Sequence, residues 1–355
     1  MSLSDLGIHH KRVAQTLAAS MRVTLPSREE LPEILAEMGE GIPAESIAGP
    51  PFSIIQFVTS VKGGLDAEIG FPLRHPVDVE GVVTQRFPAL ETLSLLHTGP
   101  LDGLSESYGT LYGAAAAQGL ISDEFVREVY AEWPLREWNV IEVQFVLHDW
   151  GALFVQNLDR VLDTGAGKRL MEGLRPPTTR STLDERFQWV AAVLDRLESL
   201  APEDQVYDIV SRCAHVFPTE QIGKLRSIYE AARDASDDPL EAVDAVIAFM
   251  GEDPGWAQAP RRKGHIVYAT KAPRDPQAFE EAKTEADRGR AYCFCPIVRN
   301  RLDQGMPASF CYCGAGWYQQ QWEGAVGREV SIEIVRSVLR GDEACEFAVR
   351  LPADL

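Results

Sequence analysis

Two groups of residues in this 355-residue chain have the types and spacing to do chemistry. The first is an acid among aromatic rings: Tyr130, Trp133, Trp138 and Glu142 lie within thirteen positions of each other. The run Ile141–Leu147 alternates apolar and polar residues at period two. That spacing puts Glu142 on the face of Gln144 and Val146, opposite Ile141, Val143 and Phe145. Where such a face closes over a pocket, a carboxylate beside aromatic rings suits a cationic aromatic ligand. It also suits hydrolysis, with Glu142 as general base on water and Tyr130 orienting the substrate or protonating the leaving atom. The hydrolytic version requires Glu142 to be desolvated, because an ordinary carboxylate is a weak base at neutral pH. The competing reading is a carboxylate that faces water and a tyrosine that fills a core.

The second group is a set of cysteines near the C-terminus. Cys293 and Cys295 form one Cys-x-Cys pair and Cys311 and Cys313 another, with Cys345 beyond them. Four thiolates can hold zinc tetrahedrally, although the usual spacing within a pair is two to four residues. In an extended Cys-x-Cys the side chains point to opposite faces, so a shared metal requires the backbone to turn. Pro296 and Gly314 follow the pairs and allow such turns. A reactive thiol is the second reading, given Arg290, Arg299 and Arg301 nearby in sequence, and buried packing is the third. The sixth cysteine, Cys213, sits on an apolar helical stripe and reads as a core residue.

Composition narrows the partners. The net charge of −19 repels a phosphate backbone, which argues against nucleic acid and anionic membranes. The densest basic cluster, Arg261-Arg262-Lys263, is only three residues long and follows Pro260. No apolar run approaches the roughly 20 residues of a membrane span. The N-terminal residues lack a signal-peptide pattern, so the expectation is a cytoplasmic protein with reduced thiols.

The elements that must position the first group repeat. Val13–Leu25 leans to strand, and Arg28–Met38 reads as a helix with Ser27 as N-cap. Strands at Phe52–Val58 and Leu65–Leu73 follow, around a turn at Gly63-Gly64. The order then recurs as strand Leu90–His97, helix Leu104–Gln118, and strands Val126–Tyr130 and Ile141–Leu147. A duplicated strand-helix-strand-strand unit implies two sheets about a pseudo-twofold axis, with a groove between their faces. His97 reads as a turn anchor.

The phrases Gly49-Pro50-Pro51-Phe52, Ala67-Glu68-Ile69-Gly70-Phe71-Pro72, Leu96-His97-Thr98-Gly99-Pro100-Leu101-Asp102, Arg127-Glu128-Val129-Tyr130 and Glu142-Val143-Gln144 resemble, in order and spacing, GyrI-like small-molecule-binding domains. These are also the effector-binding domains of AraC- and MerR-type regulators. The resemblance spans about residues 8–150. It implies a duplicated βαββ fold of the SHS2 type, a pocket between the halves, and binding of cationic or polar heterocyclic compounds, as in multidrug binding. It places Glu142 and Tyr130 at the ligand, with aromatic residues packing on the ligand's faces; Trp133, Trp138, Tyr108 and Phe57 are the further candidate ligand-binding residues of this chain. Some stand-alone relatives are hydrolases of strained or electrophilic compounds, for which Glu142 and Tyr130 would be the catalytic pair. The usual Tyr after Gly-Pro is Leu101 here, which removes one aromatic contact.

Beyond residue 152, four apolar stripes at helical spacing follow a polar, Pro-rich boundary at Arg175–Thr182. None presents the Arg/Lys/Asn/Gln face that base reading needs. Ala278–Arg288 reads as one charged helix, Trp317–Val326 as another, and Val330–Leu339 and Cys345–Leu351 as strands. The stretch 185–352 resembles bacterial proteins related to aminothiazoline-carboxylate hydrolases, which implies clustered cysteines in an α+β setting. The expected architecture is therefore α+β in three parts: 1–152 ligand-binding, 153–260 helical, and 261–355 cysteine-rich. The leading function is capture of a small, cationic or amphipathic aromatic ligand. The alternatives are a hydrolase, or a metal- or redox-responsive protein using Cys293, Cys295, Cys311 and Cys313, with zinc as the one candidate cofactor. Sensing without a DNA-reading helix would require a protein partner or a homo-oligomer.

Overall fold

The computed structural model describes residues 3–25, 28–56, 65–120, 122–134, 136, 139–215, 219–236, 238–252 and 259–355. They form two units, Met1–His148 and Asp149–Leu355. The first is built from strands β1 (Ile8–Val13) and β2 (Thr16–Leu25), helix α1 (Leu31–Gly41), and strands β3 (Phe52–Gln56), β4 (Leu65–Pro72), β5 (Val83–Phe87) and β6 (Leu90–Gly99). Helix α2 (Leu104–Ala117) and strands β7 (Ser122–Tyr130) and β8 (Asn139–Leu147) complete it.

The duplication is present, with one difference from the expected pair of sheets. All eight strands join one antiparallel sheet in the order β1-β6-β8-β7-β3-β4-β2-β5. The halves fuse where β3 pairs with β7, from Phe52 opposite Val129 to Gln56 opposite Phe125. The edge strands are exchanged: β1 pairs with β6 of the second half, and β5 with β2 of the first. The apolar stripes of both helices (Leu31, Leu35, Met38; Leu104, Leu111, Ala115) share a core with Ile69, Phe71, Val126, Ile141, Val143 and Phe145. Gly70 in β4 has a structural reason: a Cβ there would stand 2.6 Å from the carbonyl oxygen of Ala19.

The second unit begins with α3 (Trp150–Val161), α4 (Thr164–Met171), α5 (Leu183–Leu200), α6 (Glu203–Ser211), α7 (Thr219–Ala235) and α8 (Pro239–Glu252). Strands β9 (Arg261–Lys263) and β10 (Ile266–Thr270), helices α9 (Pro276–Glu281), α10 (Glu285–Tyr292) and α11 (Tyr312–Val326), and strands β11 (Ser331–Arg336) and β12 (Glu346–Arg350) follow. A four-stranded sheet runs β11-β12-β10-β9. The Pro-rich stretch ends at Thr182, which caps α5 in a reciprocal bond with Glu185. The single helix expected over Ala278–Arg288 is two, because Thr284 caps a new start.

The helical and cysteine-rich stretches, expected as separate domains divided at residue 260, share their cores. Leu225, Val243 and Met250 pack with Val267, Phe347 and Val349, while Phe154 and Val190 pack with Ile297 and Phe310. Helices α6 and α11 approach so closely that a Cβ on Gly316 would lie 1.9 Å from the Ser211 carbonyl oxygen. Among the described residues no helix is long and apolar enough to cross a membrane.

Candidate functional site

Strand alternation decides which acid meets the tyrosines. In the β7–β8 ladder Tyr130 is opposite Ile141 and Glu128 opposite Val143, whereas Glu142 is opposite Val129. Directly opposed residues share a face, so Glu128 and Tyr130 point to the helix-covered side and Glu142 to the other. The pairing of Glu142 with Tyr130 and Trp133 expected from the sequence is therefore not what the sheet forms. Glu142 instead pairs with Lys11 of β1, and its side chain keeps 23% of its surface. Desolvation raises its pKa, but Lys11 and hydrogen bonds from Ser94 and Gln144 outweigh that and hold it below the ordinary carboxylate value. That shift is opposite to the one a general base needs.

Glu128 is fully buried. One of its oxygens accepts from both the Arg28 guanidinium and the Tyr108 hydroxyl, and the other accepts from the Tyr130 hydroxyl at 3.1 Å. The Tyr130 hydroxyl is in turn 2.8 Å from Ser53 Oγ. Arg28 also donates to the Tyr108 hydroxyl at 3.2 Å and lies 5.6 Å from that ring's centre. Burial, then the Glu128 charge, push both phenols well above their ordinary pKa. The same carboxylate raises the Arg28 pKa against desolvation. The tyrosines are thus neutral donors to the carboxylate, and the Arg28 guanidinium stays charged. The aromatic wall continues from Tyr130 to Trp133 (centroids 6.2 Å apart) and to Phe71 (6.3 Å beyond). Tyr108 and Tyr112 meet Phe145 at 6.0 and 4.9 Å.

Of the expected ligand-binding residues, the structure brings Tyr108, Tyr130 and Trp133 into this one core and leaves Glu142 outside it. Phe57 and Trp138, like Ser27 and Gly63-Gly64, lie outside the described residues. His97 is a turn anchor, with Nδ1 3.0 Å from Ser107 Oγ and Nε2 3.0 Å from the Pro100 carbonyl oxygen.

Glu128 is the residue that reading the sequence overlooks, although it carries a signal. Val126 and Tyr130 are apolar at period two, so the same count that puts them inward also buries the acid between them. Arg28 has no local signal, because its partner is 100 residues away.

Residues 11–142 match the GyrI-like small molecule binding domain. This stretch is a GyrI-like domain. The GyrI-like domain is similar to the EcmrR C-terminal domain at 18% identity, over 39% of this chain and 96% of that one, with a TM-score of 0.35. It is also similar to SAV2435 bound to tetraphenylphosphonium (10% identity, 39% and 93% covered, TM-score 0.30). A third similar structure is a hydrolase from Listeria innocua (13% identity, 39% and 90% covered, TM-score 0.27). No curated protein sequence matches the chain.

In the second unit the thiols do gather. Cys293 ends α10, Cys311 and Cys313 stand at the start of α11, and Cys345 precedes β12. Burial is the main reason that the thiols of Cys293, Cys295, Cys311 and Cys313 are each pushed up to about 12, and they raise one another further. Lys271 acts the other way on Cys293, Cys311 and Cys313, and Cys311 Sγ is 3.3 Å from Ser337 Oγ. Among the described residues no three His, Cys, Asp or Glu side chains are arranged to hold a metal ion. Cys213 is a buried packing residue, its sulfur 3.4 Å from the Ile209 carbonyl oxygen.

The second unit also has an open cleft of about 600 Å³, lined by Glu203, Asp204, Tyr207, Tyr312, Glu333 and Arg340 among others. Two of its acids are engaged: Glu203 accepts from the Tyr312 hydroxyl at 2.9 Å, and Glu333 from Arg350 at 2.6 Å.

Proposed function

We propose that the GyrI-like domain captures a cationic aromatic small molecule, with Glu128 as its counter-charge and Tyr108, Tyr130 and Trp133 as its aromatic walls. The observation that carries this reading is the complete burial of Glu128 inside an otherwise apolar core. A carboxylate so placed requires a cation and several donors, and the tyrosines supply only the donors. The charge is supplied by a guanidinium lying by a tyrosine ring, which are the contacts an aromatic cation would make. The family supports small-molecule binding as such. The hydrolytic alternative loses its support in the Glu142 environment, where the acid is ion-paired and its pKa lowered.

Fluorescence titration with the aromatic diamidine 4′,6-diamidino-2-phenylindole tests the reading on the whole chain. Glu128→Gln keeps the shape and the hydrogen-bond acceptor but removes the charge, and is expected to weaken binding at least tenfold. Glu142→Gln is expected to leave it unchanged. Equal affinity in Glu128→Gln, or loss in Glu142→Gln, would move the site to the opposite face of the sheet.

A further inference from the structure

Glu128 is not waiting for a cation, because the chain already supplies one. Arg28 belongs to a single 3-10 turn (Arg28–Glu30) between β2 and α1. Its side chain keeps 27% of its surface, while the carboxylate beneath it has none. The hydrogen bonds described for it go to two side chains, Glu128 and Tyr108, and to no backbone group. Glu128 and Tyr130 are strand residues locked in the β7 ladder. Arg28 is a long, flexible side chain at the rim, able to swing into water without disturbing a strand.

From this asymmetry we propose that Arg28 is an internal competitor. Its guanidinium occupies the position of the ligand's positive charge, and binding exchanges an internal cation for an external one. This rests on the function proposed above and sharpens the ligand class. A ligand that replaces Arg28 must meet the same demands, namely positive charge, N–H donation to the Glu128 carboxylate, and a flat surface for the Tyr108 ring. Aromatic amidines and guanidines meet all three. Quaternary onium ions offer charge and rings but no N–H, and leave a buried carboxylate oxygen short of a donor. The resident arginine therefore sets a threshold that excludes weak or donor-less cations.

The experiment measures equilibrium binding of 4′,6-diamidino-2-phenylindole and of tetraphenylphosphonium to wild type and Arg28→Ala. The variant is expected to bind both at least tenfold more tightly and by a similar factor, because both displace the same group. The diamidine should remain the tighter ligand in each protein. Methylguanidinium at millimolar concentration should compete with the diamidine in Arg28→Ala and much less in wild type. Arg28→Gln, which keeps a donor without charge, serves if the alanine variant does not fold, and should show the same tightening to a smaller degree. Wild-type binding with no gain in either variant would overturn the competitor while leaving the ligand site standing. No binding of either probe to any of the proteins would remove both.

Discussion

The Glu128 group and the cysteine group solve one physical problem in opposite ways. Each gathers titratable side chains from sequence-distant positions and withdraws them in large part from water. Around Glu128 the charges are kept and compensated by Arg28, Tyr108 and Tyr130. Around Cys293, Cys295, Cys311 and Cys313 the groups are kept neutral, because burial disfavours the thiolate. A compensated charge can be exchanged for another of the same sign, so it is open to a ligand. A neutral buried thiol has nothing to exchange and is inert until something removes its proton. The first group should therefore respond to cations and the second to alkali.

The largest effect that tests this contrast is alkaline destabilisation of the second unit. The four thiols are raised from 9.0 to about 12, so the folded form retains protons that the unfolded chain releases. Their contribution is complete below pH 9 and is lost as pH rises from 9 towards 12. The slope approaches about 1.4 kcal/mol per pH unit for each thiol that stays protonated. Urea unfolding at pH 8, 9 and 10 is expected to show a fall of a few kcal/mol that shrinks in Cys295→Ala/Cys313→Ala. The same slope in both proteins would mean that these thiols ionise as freely folded as unfolded. A native chain at pH 7.5 should also react with iodoacetamide far more slowly than the urea-unfolded chain, since the thiolate is the nucleophile.

Next in size is the loss of the compensated pair. Glu128→Leu removes the carboxylate that accepts from Arg28, Tyr108 and Tyr130 and leaves those donors without it. Breaking a buried pair costs on the order of 3–5 kcal/mol, and the rim position of Arg28 puts the expected value at the low end. The double variant Glu128→Leu/Arg28→Met is expected to recover most of that loss, because it removes both charges. A double variant as unstable as the sum of its parts would mean that the two side chains act independently.

How far the sequence exposed this arrangement depended on what holds each element. Strands β7 and β8 and helix α2 bury apolar residues at their own period, and they could be placed to within a few residues. Strands β1 and β5 could not. β1 reads Ile-His-His-Lys-Arg-Val and β5 reads Val-Thr-Gln-Arg-Phe, with at most one buried residue each. These are edge strands held by backbone pairing to β6 and β2, and pairing between distant segments leaves no periodic trace. Lys11 on the unseen β1 is what ties up Glu142 and hid the choice between the two acids. The cysteine gathering was visible as composition. How the pairs stand to one another was not, because it depends on helix α11 starting at Tyr312, five residues before its expected start.

The smallest effect concerns Glu142, and it separates the two faces of the sheet most cleanly. Its folded pKa is depressed by Lys11, Ser94 and Gln144. The stabilisation is therefore present above its unfolded value of 4.5 and disappears as pH falls through the folded value. Lys11 keeps 40% of its side-chain surface, so solvent screens the pair and its worth at pH 7 should be under about 1 kcal/mol. Glu142→Gln is expected to lose that amount at pH 7 and to converge on wild type as pH falls below 4.5 and through the folded value, in unfolding curves taken across that range. Added salt should narrow the gap at pH 7, as it does for ion pairs open to water. Because Glu128 lies on the other face with its own cation, the same substitution should leave diamidine affinity where it was. A stability loss well above about 1 kcal/mol with a parallel loss of affinity would mean that the two acids share one electrostatic environment across the sheet, and the separation drawn from strand alternation would fail.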